Sequence, residues 1–172
     1  MGLDIRSEIK GQKKVKLSNI SQDDIITVLG DGNCLFRAFS YFITGSEGDH
    51  NTIRQTTCDY MSRHSLTIDS ISGISNYVAI SGMQENGTWG TDTELTVFAS
   101  MLNTPIVVYG PYGQCNDQTE HKWLRFEPHG DLPATASFTC MGQCLYLINM
   151  NNHFDPVSKV DESVSSASVL CN

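Results

Sequence analysis

A thiol, an imidazole and a carboxylate are the parts of a cysteine-nucleophile site, and this 172-residue chain carries them in that order. Cys34 follows the turn-forming run Asp31-Gly32-Asn33, and His153 and Asp155 stand two residues apart near the other end. A cysteine attacks as thiolate, and a free thiol is mostly protonated at neutral pH. A position at a helix N-terminus and a nearby imidazolium would both lower the Cys34 pKa. His153 would take the thiol proton and later return it to a leaving amine. A carboxylate on the far ring nitrogen fixes the tautomer and the ring orientation. In an extended segment residues two apart face one side, so Asp155 can reach the ring of His153. Gly32 and Asn33 permit unusual dihedrals, so backbone N–H groups from Asp31 to Cys34 can converge as an oxyanion hole.

The elements that must position these groups are legible as changes of period. Ile25, Ile26, Val28 and Leu29 predict a brief strand that stops at Gly30-Asp31-Gly32. From Cys34, Leu35, Phe36, Ala38, Phe39, Phe42 and Ile43 trace one buried helical face, closed by Gly45. Asp49 or Asn51 is expected to cap a second helix running to about His64, with Ile53, Thr57, Tyr60 and Met61 inward. Residues 66–90 are rich in Ser, Gly and Asn and read as a mobile connection holding one short helix at Tyr77–Ile80. Asp92 is expected to cap a third helix, Thr93 to Leu102. Ile106–Tyr109, ended by Gly110-Pro111-Tyr112-Gly113, then Trp123–Phe126 and Cys144–Asn149 read as strands. The class is α+β, or mixed α/β, with the strands in the C-terminal half.

The net charge of −8 argues against nucleic acid as the main partner, since phosphate binding needs clustered Lys and Arg. No apolar run approaches the roughly 20 residues of a bilayer span, and residues 1–7 carry no apolar signal segment, so no membrane partner is expected. With hydrophobic residues at 40%, one compact unit has core enough without disulfide staples. The six cysteines therefore read as free thiols in a reducing, cytoplasmic or nucleo-cytoplasmic compartment. The expected organisation is an arm at 1–22, a catalytic domain at 23–158 and a tail at 159–172.

The run Gly30-Asp31-Gly32-Asn33-Cys34-Leu35-Phe36-Arg37-Ala38 resembles the nucleophile motif of the OTU (ovarian tumour) family of cysteine proteases. Trp89-Gly90 with Glu94-Leu95 and Ala99 resembles the family's tryptophan-glycine helix motif, and Ile106–Tyr109 the strand after it. Leu145-Tyr146-Leu147 through His153-Phe154-Asp155 resembles its histidine motif, with Phe154 where the family more often has Tyr. The resemblance runs from about residue 25 to 158. It implies a papain-like fold, a central and mostly antiparallel sheet flanked by helices. It implies a deubiquitinase cleaving the isopeptide bond after the C-terminal glycine of ubiquitin, on polyubiquitin chains and on ubiquitin-like modifiers in some members. It implies no cofactor and a monomer. By this similarity Cys34 is the nucleophile, His153 the general base and acid, and Asp155 the orienting residue. Asp31 either shapes the oxyanion loop or supports the histidine.

Each reading has a plainer competitor. Cys58, Cys115, Cys140, Cys144 and Cys171 read as small buried hydrophobes. His50, His64, His121 and His129 read as surface or capping residues. Trp89 is either core or a substrate-facing rim residue. Cys140 and Cys144, with His129 or His153, lack the second pair a zinc site needs, so no metal is expected. The competing function is an OTU-like module that binds ubiquitin or another protein without cleaving it.

Overall fold

In the structure, a computed structural model that describes residues 20–115, 118–135 and 144–158, the predicted helical period at Cys34 becomes α1, Cys34–Thr44. Its residues from Leu35 to Ser40, with Phe42 and Ile43, are all buried. A helix buried over most of its surface sits near the centre of a domain, and α1 packs on α2 (His50–Arg63) and on the last strand. Phe39 of α1 stacks flat on Phe98 of α5 (Asp92–Leu102), ring centroids 3.7 Å apart. Two short helices, α3 (Ser65–Ser72) and α4 (Tyr77–Ser81), lie between α2 and α5.

The sheet has four strands in the order β2-β1-β3-β4: β1 Ile106–Cys115, β2 Gln118–Phe126, β3 Leu145–Met150 and β4 His153–Pro156. The outer pairings β1–β2 and β3–β4 are antiparallel and the central β1–β3 pairing is parallel. The sheet is thus mixed, with two of its three pairings antiparallel. Leu145 and Leu147 of β3 join the helical core, while Cys144, Tyr146 and Ile148 pack with Val157, Val107, Tyr109 and Trp123 on the opposite face. Both faces are covered, which is why β3 reads as a continuous apolar run.

Several expectations are corrected. Residues 25–29 form no strand of the sheet: Ile25 makes one isolated bridge to Val157, and Ile26 N–H donates to Pro156 O at 2.9 Å. The segment runs beside the β4 end, but without a ladder. The 66–90 stretch holds two helices, because Ile68 and Tyr77 bury their side chains against the core despite the polar composition around them. The third helix starts one residue early, at Asp92. Its cap is Thr91, whose hydroxyl accepts from Thr93 N–H while Glu94 Oε2 accepts from Thr91 N–H, a reciprocal capping box. The Gly110–Gly113 run does not end β1. The strand passes through it with a register shift, where Pro111 has no N–H to give. Asp49 occupies the α2 N-cap without a side-chain hydrogen bond. Residues 1–19 of the expected arm at 1–22, the tail from 159, Cys140, Cys171 and the Cys115 side chain lie outside what the structure describes.

Candidate active site

Cys34 is the first residue of α1 and is half-buried. The turn before it is shaped by close approach. Gly32 has φ +84°, and a Cβ there would lie 2.1 Å from the Gly87 carbonyl oxygen, so no side chain fits. The Asn33 side chain is buried at 1% exposure, and its Oδ1 accepts from Gly87 N–H at 2.9 Å and from Arg54 Nη2 at 2.8 Å. The oxyanion-loop residues proposed from the sequence are therefore held from beneath by the 83–88 loop.

His153 arrives on the other side by a two-residue hairpin. Asn151 and Asn152 both adopt left-handed φ (54° and 62°), and Met150 pairs directly with His153. Such a turn fits the right-handed twist of the strands, and Asn tolerates its dihedrals. Along β4 the burial alternates, with Phe154 and Pro156 buried and His153 and Asp155 partly exposed. His153 Nε2 and Asp155 Oδ1 lie 3.1 Å apart. The same carboxylate oxygen accepts from Val28 N–H at 3.0 Å, so its position is fixed from two sides. His153 Nδ1 and Cε1 lie over Gly30, where a Cβ would sit 3.5 Å from each.

Asp31 is engaged elsewhere. Its carboxylate makes a two-pronged pair with Arg37 (Nε–Oδ1 3.1 Å, Nη2–Oδ2 2.7 Å), and Oδ1 also accepts from Asn33 N–H at 3.0 Å. The Arg37 guanidinium holds the Asp31 carboxyl well below the usual carboxylate range. The Cys34 thiol departs from the lowered pKa read from the sequence. Burial pushes it up, the Asp155 charge adds to that, and the Phe154 and Leu35 N–H groups pull the other way.

Cys34 opens into a cleft of about 310 Å³ lined by Trp89, Gly90, Thr91, Asp92, Tyr112, Asn149, Asn152 and Phe154. Trp89 is 61% exposed at its edge, so it is a rim residue and not core. Gly90 packs flush on α1: a Cβ there would meet Leu35 Cδ2 at 2.4 Å. Burial raises the pKa of Asp92 and pushes that of the Tyr112 hydroxyl to about 12. Among the other cysteines, Cys58 and Cys144 are buried, and Arg125 Nη1 donates to Cys144 Sγ at 2.8 Å. Among the described residues no three His, Cys, Asp or Glu side chains cluster as metal ligands.

Nothing in the sequence marks Tyr112, Asn149 or Val28 as site residues, since only the sheet and the 25–29 segment bring them here. Arg54 had a signal: a charge at the same helical face as Cys58 and Met61.

A helix that begins with a cysteine, packed on the strand of a mixed sheet that carries a histidine, is an arrangement consistent with a papain-like fold. The chain belongs to the OTU family: the model described as "OTU-like cysteine protease" matches residues 29–154. The ubiquitin thioesterase otu2 of Schizosaccharomyces pombe is 25% identical over 167 residues, covering 87% of this chain and 51% of that protein. The chain thus spans about half of that relative's length, and 17% of the next, a deubiquitinating enzyme from Arabidopsis thaliana. Among solved structures, the OTU domain of OTUD1 superposes with a TM-score of 0.56 at 25% identity, covering 77% of this chain and 83% of that one. The Hazara virus OTU bound to ubiquitin shares the fold at a TM-score of 0.54 and 14% identity, covering 77% and 79%.

Proposed function

We propose that this protein is a cysteine-dependent deubiquitinase, acting on the isopeptide bond between the terminal glycine of ubiquitin and a lysine amine. The observation that carries the reading is the His153–Asp155 pair, held at 3.1 Å on a strand packed against the helix that begins with Cys34. His153 takes the Cys34 proton, and the thiolate attacks the glycine carbonyl carbon. The negative charge moves to the carbonyl oxygen, where N–H groups of the Asp31–Cys34 turn face it. The C–N bond breaks as His153 protonates the leaving lysine amine, which leaves a thioester on Cys34. Water, deprotonated by His153, then attacks the thioester, releases the ubiquitin carboxylate and restores the thiol. Asp155 stabilises the imidazolium in both halves. Asp31 shapes the turn through Arg37 and Asn33. Trp89 forms an apolar rim for the incoming ubiquitin tail. Ubiquitin and its chains are the partners, with ubiquitin-like modifiers as further substrates, in a reducing compartment where the thiol survives.

The test is reaction with ubiquitin bearing a C-terminal thiol-trapping electrophile. Wild type forms a covalent adduct and Cys34→Ala does not. A wild type that binds ubiquitin without reacting would make the protein a binding module and end the hydrolase reading.

A further inference from the structure

Arg54 is among the largest fully buried side chains, at 1% exposure. A guanidinium taken out of water is costly unless it is paired or fully hydrogen-bonded. Among the described residues no carboxylate forms an ion pair with it. Its partners are instead three oxygens, the Met83 sulfur and a ring, while its Nε has no hydrogen-bond partner among the described residues. Nη1 donates to Met83 O at 3.0 Å, and Nη2 donates to Thr88 O and to Asn33 Oδ1, both at 2.8 Å. Its Cζ lies 4.0 Å from the centroid of Phe36, in the first turn of α1. Burial lowers its pKa, opposed by the charges of Cys58, Glu94, Asp31 and Cys34.

The partners have one thing in common. Met83 and Thr88 bracket the loop that carries Gly87, and Gly87 touches the turn twice. Its N–H donates to Asn33 Oδ1, and its carbonyl occupies the space beside Gly32. Arg54 therefore ties the loop and the turn to one planar fork, and Asn33 Oδ1 is the shared acceptor. A buried structural cation would be satisfied by any set of carbonyls. This one spends a donor on the side chain immediately before Cys34.

We propose that Arg54 is a positioning residue for the oxyanion turn, acting through the Asn33 side chain and the 83–88 loop. Lysine in its place keeps the charge but offers no planar fork, so it cannot hold both Met83 O and Asn33 Oδ1 in the same geometry. Without that tie the Asn33 side chain swings and the N–H groups of the turn lose their aim, while the surface that receives ubiquitin is untouched.

The activity arm of the test rests on the deubiquitinase reading; the exchange arm does not. Arg54→Lys, Asn33→Ala and the double variant are compared on ubiquitin with a fluorogenic C-terminal amide. The expectation is a kcat loss on the order of 100-fold in Arg54→Lys with KM nearly unchanged, as for a misplaced catalytic group. The double variant should be no worse than the poorer single, because the two act as one unit. Amide hydrogen exchange is measured alongside. Gly87 N–H should exchange about tenfold faster in Arg54→Lys, with Leu147 in the central sheet unchanged, the mark of a local opening. A kcat within about twofold of wild type, multiplicative losses in the double variant, or faster exchange everywhere would each overturn the proposal. If wild type fails to turn over the ubiquitin substrate, the function reading falls, and the exchange at Gly87 still decides the role of Arg54.

Discussion

Replacing Asp155 with Ala removes a group whose effect can be worked from its contacts. Its Oδ1 lies 3.1 Å from His153 Nε2 and 3.0 Å from Val28 N–H. The side chains are 29% exposed for His153 and 19% for Asp155, so the pair is partly shielded from water. A hydrogen bond to a charged group is worth about 1.5–3 kcal/mol net. The imidazolium forms as the thiolate attacks, so most of that energy acts in the transition state. At about 1.36 kcal/mol per decade, Asp155→Ala should lower kcat about 10- to 150-fold. KM should stay nearly constant, since Asp155 faces His153 and Val28 and is not among the cleft-lining residues. The loss of the Val28 bond adds a stability cost of about 1 kcal/mol, too small to unfold the domain. The assay is steady-state hydrolysis of ubiquitin with a fluorogenic C-terminal amide, with circular dichroism to confirm folding. A folded Asp155→Ala enzyme with unchanged kcat would refute the reasoning, and an equal loss in Asp31→Ala alone would move the supporting role to Asp31.

Asp31→Ala should instead act on stability. The Asp31 pKa is held below its ordinary 3.8 by Arg37, so the native state favours the ionised form. That contribution is fully present above about pH 4 and is lost as pH falls through the native-state value, because protonation then releases Arg37. Urea unfolding should show a wild-type advantage at pH 7 that shrinks below pH 4; an advantage that grows in acid would contradict the pairing. Gly32→Ala forces a side chain into φ +84° and onto the Gly87 carbonyl. It should cost at least about 1–3 kcal/mol in denaturant unfolding and abolish adduct formation; a fully active variant would mean that the turn is not the oxyanion hole. Thr91→Ala removes the capping box of α5 and should lower stability by about 0.5–2 kcal/mol, read as a shift in the urea midpoint with an unchanged slope.

The chemistry-bearing residues were legible because their local geometry is. A thiol at the first position of an apolar 3.6-residue period must head a buried helix, and His153 and Asp155 share a face because strand side chains alternate. The apolar run Cys144–Asn149 announced a strand, while the cover on both its faces came only with the packing. The third helix was legible as an element but not at its first residue, since Thr91 and Asp92 are both good caps and only the Glu94 return bond chooses between them. The α3 helix was hidden because its polar composition says nothing of the one face that Ile68 buries.

What the sequence determined by itself, then, was the order of the parts and the class of element carrying each, since period and turn chemistry act over a few residues. Which acid meets the histidine was decided only in three dimensions. Asp31 stands three residues before Cys34 in the chain, yet Arg37, three residues beyond Cys34 in the first turn of α1, claims its carboxylate. Asp155 reaches the ring because a two-residue asparagine hairpin folds β4 back on β3 and Val28 N–H closes on it from 127 residues away. Arg54 shows the same division. Its place on an apolar helical face was written in the chain, but its partners on the 83–88 loop and at Asn33 exist only once that loop and the turn are packed together.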